Sequence, residues 1–526
     1  MEYLKTGVLL ILFGLEPLLI LTSLCTSVTS ASQPCAAKHF GDSVVCVCNS
    51  TYCDTVPPVP KLSPGMFAVY TSSQAGDRFQ LTTGKVRDSR SSASCDLVYE
   101  LRMNNTRQSI IGFGGAFTDA AGINIASLPL AVQDKLLESY FTSEGLEYNF
   151  GRIPMASCDF STHAYSYDDV DGDLELSHFA LAMEDNKFKI PYIQQALKLT
   201  NNKLRLFASP WSAPAWMKTN KNMKGNGTLI GHPGGQYYKT WANYFVRFLQ
   251  EYSKHNISLW GVTTENEPTA GFVPNYGFQC MGFTAEMQRD FVKMDLGPAM
   301  HKNGFQNVKI MIMDDQRNSL PHWPSVVLKD PEAAKYVSGI AVHWYGDRTP
   351  LSVLDTTHDL FPDYFLQYTE ACNGAGASPH VALGDWGRGE RYATDIIDNL
   401  NHWVTGWTDW NIALDLEGGP NWVKNFVDSP IIVNASSAEF YKQPMFYILG
   451  HFSKFLVPGS KYMDLIPLGF KLTLYHVAFV RPDGSIAVIL CNIAESPAKL
   501  SLHDPAVGYI DLTVPAKSIQ TVLWTS

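Results

Sequence analysis

Ile257-Ser258-Leu259-Trp260-Gly261-Val262-Thr263-Thr264-Glu265-Asn266-Glu267-Pro268 passes from an apolar run straight into carboxylates and an amide. The run Ile257–Val262 reads as a buried strand with a polar cluster at its C-terminal end. Buried strands that end abruptly in acids and amides are what a barrel enzyme shows, because its active site lies at the C-terminal ends of the strands. Strand alternation would put Glu265 and Glu267 on one face and Asn266 on the other. For Asn266 and Glu267 to serve one site the regular strand must break before Asn266. Otherwise Glu265 becomes its rival.

Working outward, a second strand has the same ending. Tyr364–Tyr368 runs through Thr369 into Glu370. Six more strand candidates complete a set: Ile110–Gly115, Tyr148–Met155, Leu204–Ala208, Val308–Met313, Gly339–His343 and Gly406–Trp410. Amphipathic helical runs lie between them, among them Val132–Phe141, Tyr237–Tyr252, Thr284–Leu296 and Thr394–Val404. Strands alternating with helices specify a parallel α/β sheet, and eight of them suggest a (β/α)8 TIM barrel. The alternative is a doubly wound open sheet. Gly112-Phe113-Gly114-Gly115 lacks the glycine spacing of a phosphate- or dinucleotide-binding turn.

The strand ends carry the chemistry. In order they present Thr118-Asp119, Cys158-Asp159-Phe160, Ser209-Pro210-Trp211, Asn266-Glu267, Asp314-Asp315, His343-Trp344-Tyr345, Glu370 and Asp409-Trp410-Asn411. Barrel sites draw on several strands, so these endings predict one shared pocket. Two glutamates on two strand ends are the minimum kit for glycoside hydrolysis: one acid for the leaving oxygen, one carboxylate as nucleophile or as base toward water. Glu267 suits the acid, and Glu370, within reach of donors such as Tyr345 or His343, suits the nucleophile. Asn266 and Asp159 offer hydrogen bonds to sugar hydroxyls, and Trp211 and Trp410 offer stacking faces. Each residue also has a plainer reading: His343 as a satisfied core histidine, Asp314-Asp315 as a network beneath the site, Asp119 as a helix N-cap. No metal-ligand pattern such as His-Glu-x-x-His occurs, and no cofactor motif.

Both chain ends alternate in the manner of antiparallel strands. Phe67–Tyr70 and Leu97–Leu101 precede the barrel; Val477–Val480, Ile486–Leu490, Tyr509–Val514 and Ile519–Trp524 follow it. Too few strands precede the centre for a sandwich of their own. The two ends are therefore expected to build one β-sandwich around an inserted barrel.

The 526-residue chain has 45% hydrophobic and 17% charged residues, a globular balance. Its net charge of −10 gives no electrostatic footprint for nucleic acid, and such a surface tolerates an acidic compartment. Residues 1–31 read as a signal peptide, with Lys5, an apolar stretch Val8–Leu24 and small residues before the expected cleavage. Sequons at Asn49, Asn104, Asn226, Asn256 and Asn434 fit secretion. Cys35, Cys46, Cys48 and Cys53 allow three pairings. Cys46 and Cys48 are too close to pair easily, which favours Cys35–Cys46 with Cys48–Cys53. A zinc site is the alternative. Cys95, Cys158, Cys280, Cys372 and Cys491 read mostly as buried thiols.

The runs Gly112–Ala116, Pro154–Phe160, Glu265–Pro268, His343–Tyr345, Gly406–Trp410, Glu417–Trp422 and Tyr441–Tyr447 together resemble the lysosomal acid β-glucosidases of glycoside hydrolase family 30. The resemblance covers nearly the whole mature chain; residues 346–385 depart from the pattern except around Glu370. It implies a retaining β-glucosidase acting on glucosylceramide in membranes through a covalent glucosyl-enzyme, with Glu267 as acid/base and Glu370 as nucleophile. It implies that Arg152, Asp159, Trp211, Asn266, Tyr276, His343, Tyr345, Trp410 and Asn425 surround the glucose or the glutamates. It divides the chain into a small disulfide-bearing antiparallel β domain (32–58 and 412–443), an immunoglobulin-like β-sandwich (59–107 and 460–526) and the catalytic barrel (108–411 and 444–459). It further implies a lysosomal, peripherally membrane-associated protein that works with a saposin-type activator and anionic lipid and travels on a lysosomal membrane sorting receptor. Two other readings compete: the same barrel on another sugar, such as a xyloside or galactoside, and a non-catalytic sugar- or lipid-binding protein.

Overall fold

Eight strands close into a parallel barrel in chain order. They are β1 (Gly112–Ala116), β2 (Phe150–Met155), β3 (Arg205–Pro210), β4 (Gly261–Thr263), β5 (Lys309–Gln316), β6 (Val337–His343), β7 (Phe365–Glu370) and β8 (Val404–Asn411). The computed structural model that shows this describes residues 32–89, 97–469 and 474–525, so the expected signal peptide and Cys95 lie outside the described residues. Every neighbouring pair in the barrel is parallel, and β8 closes it against β1.

The barrel is a packed core that opens at one end. Phe150, Phe207, Met311 and Ala341 form a buried cluster inside it. Phe150 stacks on Phe207 at 5.0 Å and meets Trp260 edge-on at 5.2 Å. These rings plug the interior and leave the C-terminal ends of the strands to form a pocket. The outer helices bury their apolar faces against the strands. Gln236–Lys254 turns in Trp241, Tyr244, Phe245, Phe248 and Tyr252.

Three local differences from the sequence reading have physical causes. β4 is only three residues long: Ile257 and Leu259 are buried, but they pack ahead of the ladder. The helix read at Thr394–Val404 is Trp386–Asn401, started by Asp385, whose side chain caps the backbone N–H of Arg388. It stops where Trp403 turns to φ +70° and releases the chain into β8. The helix read at Thr284–Leu296 passes at Val292 into a wider π-helical turn and then a further short helix, Gly297–Lys302.

One irregularity shapes the site. The register of β5 against β6 slips between Met313 and Asp315. Met313 and Asp314 both take positive φ, 73° and 56°. The extra residue of this bulge re-aims Asp314 into the barrel mouth.

Strands from both chain ends hydrogen-bond into one nine-stranded sheet. Its order is Gly508–Val514, Ala498–Asp504, Leu97–Ser109, Lys461–Leu468, Leu474–Val480, Ser485–Asn492, Ser518–Thr525, Met66–Ser73 and Gln80–Lys85. The sheet folds over a shared core that includes Phe67, Tyr99, Leu101, Leu465, Val488, Leu502, Leu512 and Trp524, which makes it the β-sandwich. A third, five-stranded sheet joins Ala37–Phe40 and Ser43–Cys48 to Glu439–Lys442, Ile431–Asn434 and Leu414–Asp415. It is not wholly antiparallel: Leu414–Asp415 runs parallel to Ile431–Asn434, because the chain reaches that edge directly from β8. Disulfides Cys35–Cys46 and Cys48–Cys53 staple its N-terminal strands. Cys158, Cys280, Cys372 and Cys491 are unpaired and buried.

Candidate active site

The chain breaks out of β4 at Thr264, and the two glutamates of the Glu265-Asn266-Glu267 triplet separate. Glu265 turns away into the interior, fully buried, where the positive charge of Lys218 acts on it. Burial pushes its pKa well up. Asn266 and Glu267 are tied to the strands on either side: Asn266 N–H donates to Pro210 O and Glu267 N–H to Asp314 O, both at 2.8 Å. Glu267 is held in the left-handed region, φ +44°, before Pro268. A bulky residue in that region stores strain, and such strain is concentrated at functional sites.

Arg152 of β2 organises the floor. Its guanidinium is fully buried. It donates to Glu370, to Asp314 at 2.9 Å, to Asn266 Oδ1 at 2.8 Å and to Ser209 Oγ at 3.2 Å. Trp211 and Trp410 lie over it at 4.9 and 5.4 Å and stack on one another at 5.2 Å.

Asp314 is the second hub. It accepts from Arg152, from His343 at 3.0 Å, and from the hydroxyls of Thr263 and Thr369, each at 2.6 Å. Burial alone would raise its pKa, but the charges of Arg152 and His343 hold the carboxyl well below the usual range. His343 is fully buried yet bonds two carboxylates, Asp314 through Nε2 and Glu267 through Nδ1 at 3.1 Å. Burial favours its neutral form. The charges of Glu370 and Asp314 outweigh that and raise its pKa to about 10. Both ring nitrogens therefore carry protons and donate.

The two glutamates face one another. One oxygen of Glu267 and one of Glu370 lie within 4.8 Å. Both Glu370 oxygens accept, one from Arg152 and one from the Tyr345 hydroxyl at 2.9 Å. Burial pushes its pKa up, His343 and Arg152 pull it back, and the charge of Glu267 adds to the rise. Glu267 is more open, with a side chain 18% exposed. Its Oε1 accepts from Gln316 Nε2 at 2.7 Å.

These groups line a cavity of about 450 Å³ with Asp159, Trp211, Asn266, Tyr276, Tyr345, Trp410 and Asn425. Arg152 and His343 lie beneath its wall. Asp159 accepts from Asn421 at 3.2 Å and from Asn425 at 3.0 Å through one oxygen. Burial, aided by Glu370, raises its pKa to about 7. Not every acidic strand end reaches the pocket. Asp119 faces Lys189 at 3.2 Å, with Thr118 rather than Asp119 capping the helix. Asp409 faces the Tyr392 hydroxyl at 2.7 Å. Asp315 ties down Thr269 at 2.7 Å. The pocket also contains Phe160, from the second of the expected strand endings, and Phe278, Gln316 and Cys372, which the sequence reading did not single out as site residues. Gln316 follows Asp314-Asp315 directly, and only the bulge in β5 turns it inward. Cys372 sits two residues past Glu370, its sulfur 3.2 Å from the Tyr345 oxygen.

A parallel eight-stranded barrel whose strand ends set two carboxyl groups across a small, aromatic-walled pocket defines a glycoside hydrolase. Its sequence places it more narrowly. The chain belongs to glycosyl hydrolase family 30: the family's TIM-barrel domain matches residues 110–456 and its beta sandwich domain residues 459–522. The lysosomal acid glucosylceramidase of Mus musculus is 50% identical over 497 residues, 94% of this chain and 96% of that protein. Among solved structures, SrfJ from Salmonella typhimurium superposes with a TM-score of 0.80 at 28% identity, covering 88% of this chain and all of that one. The endo-beta1,6-glucanase BT3312 does so with a TM-score of 0.77 at 26% identity, again covering 88% of this chain and all of that one.

Proposed function

We propose that the protein is a retaining β-glucosidase that hydrolyses glucosylceramide to glucose and ceramide. The observation that carries the stereochemistry is the short gap between the glutamates, with oxygens within 4.8 Å. Retaining glycosidases hold their carboxyl groups roughly 5–5.5 Å apart; inverting ones leave about 6.5–9.5 Å for a water. The substrate reading is supported by the glucosylceramidase relative.

In this reading Glu370, fastened by Arg152 and Tyr345, attacks the anomeric carbon. Glu267 gives its proton to the glycosidic oxygen as the carbon–oxygen bond breaks, and ceramide leaves as an alcohol. Glu267, now a carboxylate, takes a proton from water, which attacks the glucosyl-enzyme and releases glucose with its configuration retained. Arg152 occupies Oδ1 of Asn266, which leaves the amide N–H groups for a sugar hydroxyl. Asp159, with one oxygen held by Asn421 and Asn425, turns the other to the sugar, and Trp211, Tyr276 and Trp410 give the pocket its apolar walls.

The finer setting belongs to the same proposal. The enzyme acts in the lysosome at a membrane surface, with anionic lipid and a saposin-type activator, and reaches it on a sorting receptor. The lysosomal name of the mouse relative supports this. Asn226 and Asn256 are exposed and open to glycans. Asn434 has its Nδ2 bonded to Ser437 and Tyr441, Asn49 is half-buried, and the side chain of Asn104 lies outside the described residues.

The test is release of sugar at acid pH, with anionic lipid and activator, from glucosylceramide, aryl xylosides, aryl galactosides and a β-1,6-glucan, with NMR of the first product. Glucosylceramide should be cleaved best and yield the β-anomer first. Preference for another sugar would move the substrate, and α-glucose as first product would rule out retention.

A further inference from the structure

We infer that Gln316 is a positioning residue that fixes which oxygen of Glu267 carries the acid proton. The inference rests on the acid/base reading of Glu267 and goes beyond it.

Glu267 Oε1 receives two donors, Gln316 Nε2 at 2.7 Å and His343 Nδ1 at 3.1 Å. A carboxyl oxygen has two lone-pair sites. Both are taken, so a proton on Oε1 would have to displace an N–H donor. The proton is thereby confined to Oε2. From Oε2 it passes to the glycosidic oxygen, which keeps the bonding pair of the broken carbon–oxygen bond.

Neither donor is free to wander. His343 is anchored through Nε2 to Asp314. The backbone N–H of Gln316 donates to Asp315 Oδ1 at 2.7 Å, while Asp315 Oδ2 accepts from the N–H and hydroxyl of Thr269 at 3.0 and 2.7 Å. One carboxylate thus ties the strand that bears Gln316 to the turn that follows Glu267. The left-handed backbone of Glu267 fixes the other end of the bond.

The amide of Gln316 has little else to do. Its Oε1 is buried and makes no hydrogen bond among the described residues. A half-satisfied buried amide costs stability. A side chain retained only for packing would be better apolar, so the bond to Glu267 is the reason for an amide here.

The test compares aryl β-glucosides of graded leaving ability. A dinitrophenyl group departs without a proton; a phenyl group needs one. Gln316→Met keeps the length of the side chain and removes the donor. Its kcat/KM should fall about 10-fold on the phenyl glucoside and less than about 2-fold on the dinitrophenyl one, since general acid catalysis contributes roughly 10²–10⁴-fold. The ratio of the two rates cancels any loss of folded protein. An equal fall on both substrates overturns the inference. Glu267→Gln, measured alongside, should show a larger split of the same sense. If Glu267→Gln shows no split, the acid assignment itself is wrong. If it does and Gln316→Met does not, only the role of Gln316 fails.

Discussion

Asp314 Oδ1 lies 3.0 Å from His343 Nε2, and the charge of Glu370 together with this bond keeps a buried histidine cationic as it reaches Glu267 from its other nitrogen. Arg152 and His343 balance the charges of Asp314 and Glu370. A proton on Glu267 then leaves the cluster neutral, which is the state an acid catalyst needs before the first step.

The cation gives the fold a pH signature. His343 ordinarily titrates near 6.5 and is raised to about 10 by Glu370 and Asp314 against the pull of burial. A group whose folded pKa is raised stabilises the fold fully below its unfolded pKa and loses that contribution as pH rises through the folded one. The stability gap between wild type and His343→Gln, from urea unfolding, should be widest below about pH 6.5 and shrink toward about pH 10. A gap that does not change with pH would contradict this.

A second pair titrates outside the pocket. Asp347, just past the Tyr345 turn, shares a hydrogen bond with Asp395 on helix Trp386–Asn401. Arg317 lies 3.3 Å from Asp347, and Trp407 Nε1 donates to Asp395 at 2.9 Å. Burial raises both carboxyls. The folded chain therefore keeps a proton that an unfolded aspartate releases near about 3.9, and the benefit is lost as pH rises. Asp395→Asn donates without titrating, so its Tm should fall less than that of wild type between about pH 5 and about pH 8. Parallel falls would remove the pair from the account.

Asp159 is neutral below its raised pKa of about 7 and charged above it. Its removal as Asp159→Ala should cost about 10- to 100-fold in kcat/KM, the worth of one hydrogen bond to a charged group at roughly 1.5–3 kcal/mol. In wild type KM should change as pH crosses about 7, where Asp159 titrates, and in Asp159→Asn that step should vanish. A step that survives the substitution would assign it to another group.

The barrel was legible because its chemistry is written at strand ends. Apolar runs stop at Asp159, Trp211, Asn266-Glu267, His343 and Glu370, and each of these stands at or beneath the pocket. What could not be read was backbone geometry. Nothing in Met313-Asp314 announces two left-handed residues in a strand, yet that bulge makes Asp314 a hub and turns Gln316 toward Glu267. Nor does composition tell an inward acid from an outward one. Asp119 and Asp409 end strands as Glu370 does, but find Lys189 and Tyr392 behind the barrel wall.

The small sheet should matter to stability more than to rate. Its disulfides close sequence separations of 11 and 5, and Asp54 beside them pairs with Lys442 at 3.1 Å and accepts from Tyr447 at 2.7 Å. Removing one disulfide as a double serine variant should cost about 2–4 kcal/mol and leave kcat of the folded fraction intact. A large loss of kcat at full folding would mean that the sheet shapes the pocket directly.

The central claim is that Glu370 forms a bond to the sugar. A 2-deoxy-2-fluoro-β-glucoside with a good leaving group slows hydrolysis of that bond, and mass spectrometry of the digested protein shows where it formed. One fluoroglucosyl group on the peptide containing Glu370, absent from Glu370→Gln, is the predicted result. No covalent adduct, or an adduct on Glu267, would contradict the account.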